Sequence, residues 1–152
     1  MPNLDGLDHE LYQIMRLHRE MRSWRWNLYP KTMKRAADVA YAAHMRVLLE
    51  FFRNGRININ GDLQRLGCPK RNDLKVSDLD QSWSSTKWTD KELERLCDAD
   101  KLLGHLSKDR GTRSSDWGRN ADWTLLRGHV DRLLSTMGTD LREARQARSA
   151  LP

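Results

Sequence analysis

Long apolar runs are missing from this chain. None approaches the ~18–20 residues that a bilayer crossing needs, so no membrane span is expected. Cysteine is scarce. Cys68 and Cys97 form neither a CxxC pair nor a spacing with His suited to zinc, which excludes a disulfide framework and a zinc finger. There is no phosphate-binding Gly loop, no HExxH and no nucleophile elbow, so the common nucleotide, metalloprotease and serine-hydrolase chemistries have no footing. No cofactor or metal is expected. The opening MPNLDGLDHE has no basic region followed by an apolar stretch, so no secretory leader is expected, and the cytoplasm is the expected compartment.

What remains is charge and helix. The 152 residues suit one domain, large enough to bury a core without a staple. Hydrophobic residues are 38% and charged residues 32%, against the usual ~45–50% and ~25%, a balance that fits helices with broad solvated faces. The formal net charge is +6, which favours a polyanionic partner. Six Trp supply anchors for a core or an interface.

Apolar spacing predicts a first helix from about Asn3 or Asp5 to Tyr29, carried by Leu4, Leu7, Leu11, Ile14, Met15, Leu17 and Met21 and stopped by Pro30. Asn3 and Asp5 are the expected caps, and Asp8 and Glu10 suit the helix dipole. An Ala-rich helix from Lys31 to about Arg53 reads as the central one. Residues 55–88 read as a long irregular loop, with a short strand open at Ile57 and Ile59, pinned to the bundle by Leu74, Val76, Leu79 and Trp83. Thr89 and Glu92 form a capping box for a third helix that ends at Gly111. Asn120 opens a fourth, which Gly138 ends, and Thr139 caps a short polar last helix. The expectation is an all-α bundle of four to five helices, with residues 1–138 as the domain and 139–152 as a short polar helix or tail.

Two constellations and one isolated residue carry chemistry. On a helix, Lys101, His105 and Lys108 or Asp109 share one side, with Arg110 just beyond. A His beside cations can move a proton next to a held phosphate, although a helix C-terminus also attracts such residues through its dipole. The isolated residue is His44, in the Ala-rich helix. It either joins His105 across the bundle or makes a structural bond to a facing carbonyl or hydroxyl. The second constellation is the stretch 16–35, where Arg16, Arg19, Arg22, Arg25, Lys31, Lys34 and Arg35 stand against Glu20 alone. It accounts for the whole charge excess of +6. With Trp24 and Trp26 interleaved, it could grip phosphates and stack on bases. Arginines at i+3 spacing drift around a helix, however, and a solvated face with one Trp buried explains them as well.

The run Ala99-Asp100-Lys101-Leu102-Leu103-Gly104-His105-Leu106-Ser107-Lys108-Asp109-Arg110, with the upstream stretch His44 to Phe52, resembles helical proteins similar to the HEPN superfamily, over about residues 33–137. The resemblance implies a helical fold and, where members are active, metal-independent ribonuclease chemistry in abortive-infection or toxin–antitoxin systems, often at a dimeric site. His105 matches the family's His. The family's Arg has no counterpart, since Asp98, Ala99 and Asp100 occupy its positions and Lys101 is the nearest cation; Lys lacks the guanidinium fork. The expected partners are RNA, a protein partner or antitoxin, and a second copy of the chain. The alternative is a non-enzymatic helical adaptor or dimerisation module. A DNA-binding regulator is disfavoured because no compact helix-turn-helix is visible.

Overall fold

A computed structural model describes residues 4–53, 56–60, 62–66, 74–83, 89–104, 117 and 120–149. Four long helices build the bundle: α1 (Asp5–Met21), α2 (Lys31–Phe52), α4 (Asp90–Gly104) and α5 (Asn120–Ser149). A 3-10 helix, Trp24–Leu28, joins α1 to α2. Helix α2 packs against α1, α4 and α5, the central position expected of the Ala-rich segment. Its buried face presents Tyr41, Met45, Leu48 and Phe52 to Leu7, Leu11 and Ile14 of α1, Leu96 of α4, and Leu126, Val130 and Leu133 of α5. Each such side chain contributes roughly 1.5–3 kcal/mol on burial.

Several boundaries differ from the sequence expectation. Helix α1 ends at Met21 rather than Tyr29. Ser23 is extended, and its hydroxyl donates to the Glu20 carbonyl at 2.8 Å, satisfying a group that the last turn leaves open. Pro30 becomes the N-cap of α2. Leu4 occupies the N-cap of α1 without a side-chain bond, so Asp5 serves the first turn and not the cap. Asn3 lies outside the described residues. Within 55–88, a strand pair β1 (Arg56–Asn60) and β2 (Asp62–Leu66) forms an antiparallel hairpin, with Arg56 opposite Leu66 and Asn60 opposite Asp62. The alternating Ile57 and Ile59 carried that signal. The short α3 (Val76–Leu79) follows. Val76 and Trp83 are buried, while Leu74 and Leu79 pack against the core from partly buried positions, so this segment is pinned as expected.

Helix α5 runs unbroken through Gly138, where the fourth helix was expected to end. Leu141 is buried and holds the helix beyond that point. Gly128 and Gly138 are both interior to α5, and a Cβ added at either meets nothing within 4 Å. A glycine in a helix interior costs about 0.5–1 kcal/mol relative to alanine. Gly128→Ala and Gly138→Ala are each expected to raise the thermal midpoint by about 2–4 °C. A calorimetric scan in which either leaves the midpoint unchanged or lowered would contradict the continuous helix.

Candidate nucleic-acid interface

The basic stretch forms the corner where α1, the 3-10 helix and α2 meet. On α1 the buried positions Leu4, Leu7, Leu11 and Ile14 face the core. Tyr12, Met15, Arg16 and Arg19 share a neighbouring face at i, i+3, i+4 and i+7, and all four are exposed. Met15 was expected in the core; it sits at the flank that turns toward the arginines. The drift of arginines around a helix is cut short because α1 ends one residue before Arg22. Arg22, Arg25, Lys31 and Arg35 are exposed as well.

The two tryptophans of this stretch separate. Trp24 is 73% exposed, and the Arg25 guanidinium lies over its ring at 5.7 Å. Trp26 packs against the core and meets Tyr29 edge-on at 5.7 Å. The Tyr29 hydroxyl donates to the Glu20 carboxylate, which ties up the single acid of the stretch. That bond raises the Tyr29 pKa, with burial adding to it. The Lys34 ammonium donates to the Asn27 carbonyl at 3.4 Å, so Lys34 braces the corner. Leu28, 71% exposed, and Met33, 54% exposed, add apolar surface to the same stretch.

Beneath the corner, residues from α1, α2, α4, α5 and the turn at Trp117 converge. His18 stacks on Trp123 at 5.1 Å, with Nδ1 3.5 Å from the Tyr41 hydroxyl. Burial lowers the His18 pKa, and the nearby Arg22 charge lowers it further, against a smaller opposing pull from Asp122. The imidazole is therefore neutral at neutral pH. Burial raises the Tyr41 pKa, the Asp122 charge adding to it. Arg95 grips Asp122 with both arms, Nε to Oδ1 at 2.5 Å and NH2 to Oδ2 at 3.1 Å, and lies over Trp117 at 3.7 Å. Sequence reasoning missed this cluster. Its hydrogen-bonded partners on different helices lie 23 residues apart or more, and only the density of Trp hinted at it.

A buried ion pair ties the C-terminal end of α2 to the start of α4. Arg53 donates to both oxygens of Glu92, Nε to Oε2 at 2.9 Å and NH2 to Oε1 at 2.6 Å. Glu92 also completes the expected capping box: its carboxylate accepts from the Thr89 amide at 3.0 Å, while its own amide donates to the Thr89 hydroxyl at 3.2 Å. His129 Nε2 approaches Oε1 at 3.4 Å. Burial alone would raise the Glu92 pKa. The bonds from His129, Arg53 and Thr89, with the Arg53 charge, outweigh it and hold the value at about 2.

Comparison with family models, characterised proteins and solved structures finds no match to this chain. The proposed cleavage residues are only partly in view. His44 Nδ1 bonds the Glu10 carboxylate at 2.6 Å, and His9 meets its ring edge-on at 6.3 Å. This is a bond to a facing group, though to a carboxylate rather than a carbonyl or hydroxyl. Glu10, expected near the dipole, instead bridges α1 to α2. The backbone of Lys101 lies in the last turn of α4, and its side chain lies outside the described residues, as do His105 and Arg110. Among the described residues, no helix is long and apolar enough to cross a membrane.

Proposed function

We propose that this chain is an RNA-binding helical domain of HEPN-like type, with the α1–α2 corner as its contact surface. One observation carries the reading: five exposed cations, Arg16, Arg19, Arg22, Arg25 and Lys31, share one stretch of chain with an exposed Trp24, Arg25 lying over its ring, while Glu20 is engaged by Tyr29. Exposed cations concentrated on one corner attract a polyphosphate and release its counterions on binding. The same proposal extends to a metal-independent endoribonuclease, or a degenerate relative of one, in bacterial defence or a toxin–antitoxin pair. There His105 would move the proton and Lys101 or Arg110 would steady the phosphate, with His44 as a further candidate.

Binding of a labelled RNA, followed by anisotropy over a salt series, tests the surface. The logarithm of affinity is expected to fall against the logarithm of salt with a slope of about −3.5 to −4.5, as five phosphate contacts imply. The Arg22→Glu, Arg25→Glu double variant is expected to bind about 30-fold more weakly at ~0.1 M salt and to show a shallower slope. Wild-type affinity in that variant would remove the corner as the site. Incubation of the protein and of His105→Ala with labelled RNA in chelator tests cleavage; equal or absent cleavage by both would remove the nuclease extension.

The adaptor reading draws on the exposed Trp24, Leu28 and Met33 of the same stretch. It expects a dimer or complex whose mass in solution is insensitive to salt, with no RNA binding.

A further inference from the structure

We infer that the corner takes RNA as a single strand, with Trp24 as the face on which an unpaired base stacks. This rests on the RNA reading above and narrows its ligand. The corner joins two kinds of surface. Arg16, Arg19, Arg22 and Arg25 offer charge to phosphates, and Tyr12, Met15, Trp24, Leu28 and Met33 expose apolar area among them. A duplex would satisfy only the first. Its base faces are hidden in the stack, and it presents phosphates, sugar hydroxyls and groove edges. Against a duplex, the apolar side chains would stay in water. A single strand offers both chemistries at alternating positions, a phosphate and then a base face, and the corner interleaves cations with apolar groups in the same manner.

The platform is also rigid where stacking needs it. The 3-10 helix that carries Trp24 is fixed from below by Trp26 packed against the core, by Tyr29 against Trp26 and Glu20, and by Lys34 on the Asn27 carbonyl. Little ordering is left to occur on binding, so the stacking gain is not spent on organising the loop. The Arg25 guanidinium over the ring adds a cation beside the stacked base. From Tyr12 to Arg22 the exposed α1 face extends about 15 Å, so the corner suits a site of on the order of four nucleotides, the short end of the single-strand range.

The test uses the full chain at ~0.1 M salt. Anisotropy is measured with an unstructured labelled RNA of about 12 nucleotides and with its duplex, and phosphatidylserine-containing vesicles are examined by co-sedimentation. The single strand is expected to bind about tenfold tighter than the duplex. Trp24→Ala is expected to lose about tenfold on the single strand, the worth of one stacked base, and nothing on the duplex. Trp24→Phe should restore most of the loss, which a merely electrostatic corner would not show. Trp24 is 73% exposed, so the fold of these variants is expected to match wild type by circular dichroism and thermal midpoint. Duplex binding as tight as single-strand binding, or full single-strand affinity in Trp24→Ala, overturns the inference and leaves the RNA reading standing. Binding to neither RNA, or to vesicles alone, overturns both.

Discussion

Glu92→Ala is expected to destabilise the fold by about 3–5 kcal/mol, a large part of the total for a domain of this size. Arg53 and Glu92 are both buried, and Glu92 receives hydrogen bonds from α2, from the Thr89 amide and from α5. Removing the carboxylate leaves a guanidinium in the interior without its bidentate acceptor and the Thr89 amide without its cap. Replacing both members with apolar residues, Arg53→Met and Glu92→Leu, is expected to recover most of the loss, since a buried pair often exchanges for packing at little cost. Chemical denaturation of the two single variants and the double variant measures the coupling; additive losses would show that the pair is not a unit. The same bonds set an acid limit. Glu92 titrates at about 2 in the fold, below the ordinary 4.5, so the folded state binds this proton less readily than the unfolded state. Its stabilising contribution is complete above ~4.5 and fades as pH falls toward ~2. Thermal midpoints measured from pH 7 downward should drop through that window in the wild type, and less steeply in Glu92→Gln.

Trp83→Ala is expected to cost about 3–5 kcal/mol, as deletion of a buried aromatic does. Trp83 stacks on Phe52 at 5.6 Å, and Phe52 in turn stacks on His129 at 5.1 Å. Arg132 covers the outer face of the assembly, 4.1 Å from the Trp83 ring centre, and reaches Asp80 at 3.4 Å. This layered stack joins the α3 segment to α2 and α5. Trp83 Nε1 is buried and has no hydrogen-bond partner among the described residues. Trp83→Phe keeps a ring in the stack and buries no N–H, so it is expected to cost less than ~1.5 kcal/mol. Equal losses in the two variants, read from urea midpoints, would mean that ring volume and stacking are not what this residue contributes.

The helical elements were legible wherever a single local signal decided them. Apolar spacing placed α1 and α2, and the Thr89–Glu92 box placed the start of α4, because a cap is a bond between neighbours in sequence. The ends were less legible. Pro30 was read as the stop of the first helix, yet Ser23 had already turned the chain. Gly138 was read as a terminator, yet Leu141, buried beyond it, outweighs the cost of one glycine. In α5, Leu134 is exposed, while its neighbour Leu133 is fully buried. A pattern of two adjacent leucines does not say which one faces inward.

By itself, the sequence determined that the chain is a helical bundle built around an Ala-rich helix, and that its charge excess is concentrated in residues 16–35. Both are properties of local composition and period. Only the tertiary structure decided that Trp24 stands in solvent while Trp26 is held against the core. It also decided that Glu20 is engaged by Tyr29, and that the capping carboxylate of Glu92 serves Arg53 and His129 as well. Those outcomes depend on which side chains from distant parts of the chain meet when helices pack. A hydrogen bond across 37 or 39 residues leaves no period in the sequence to read.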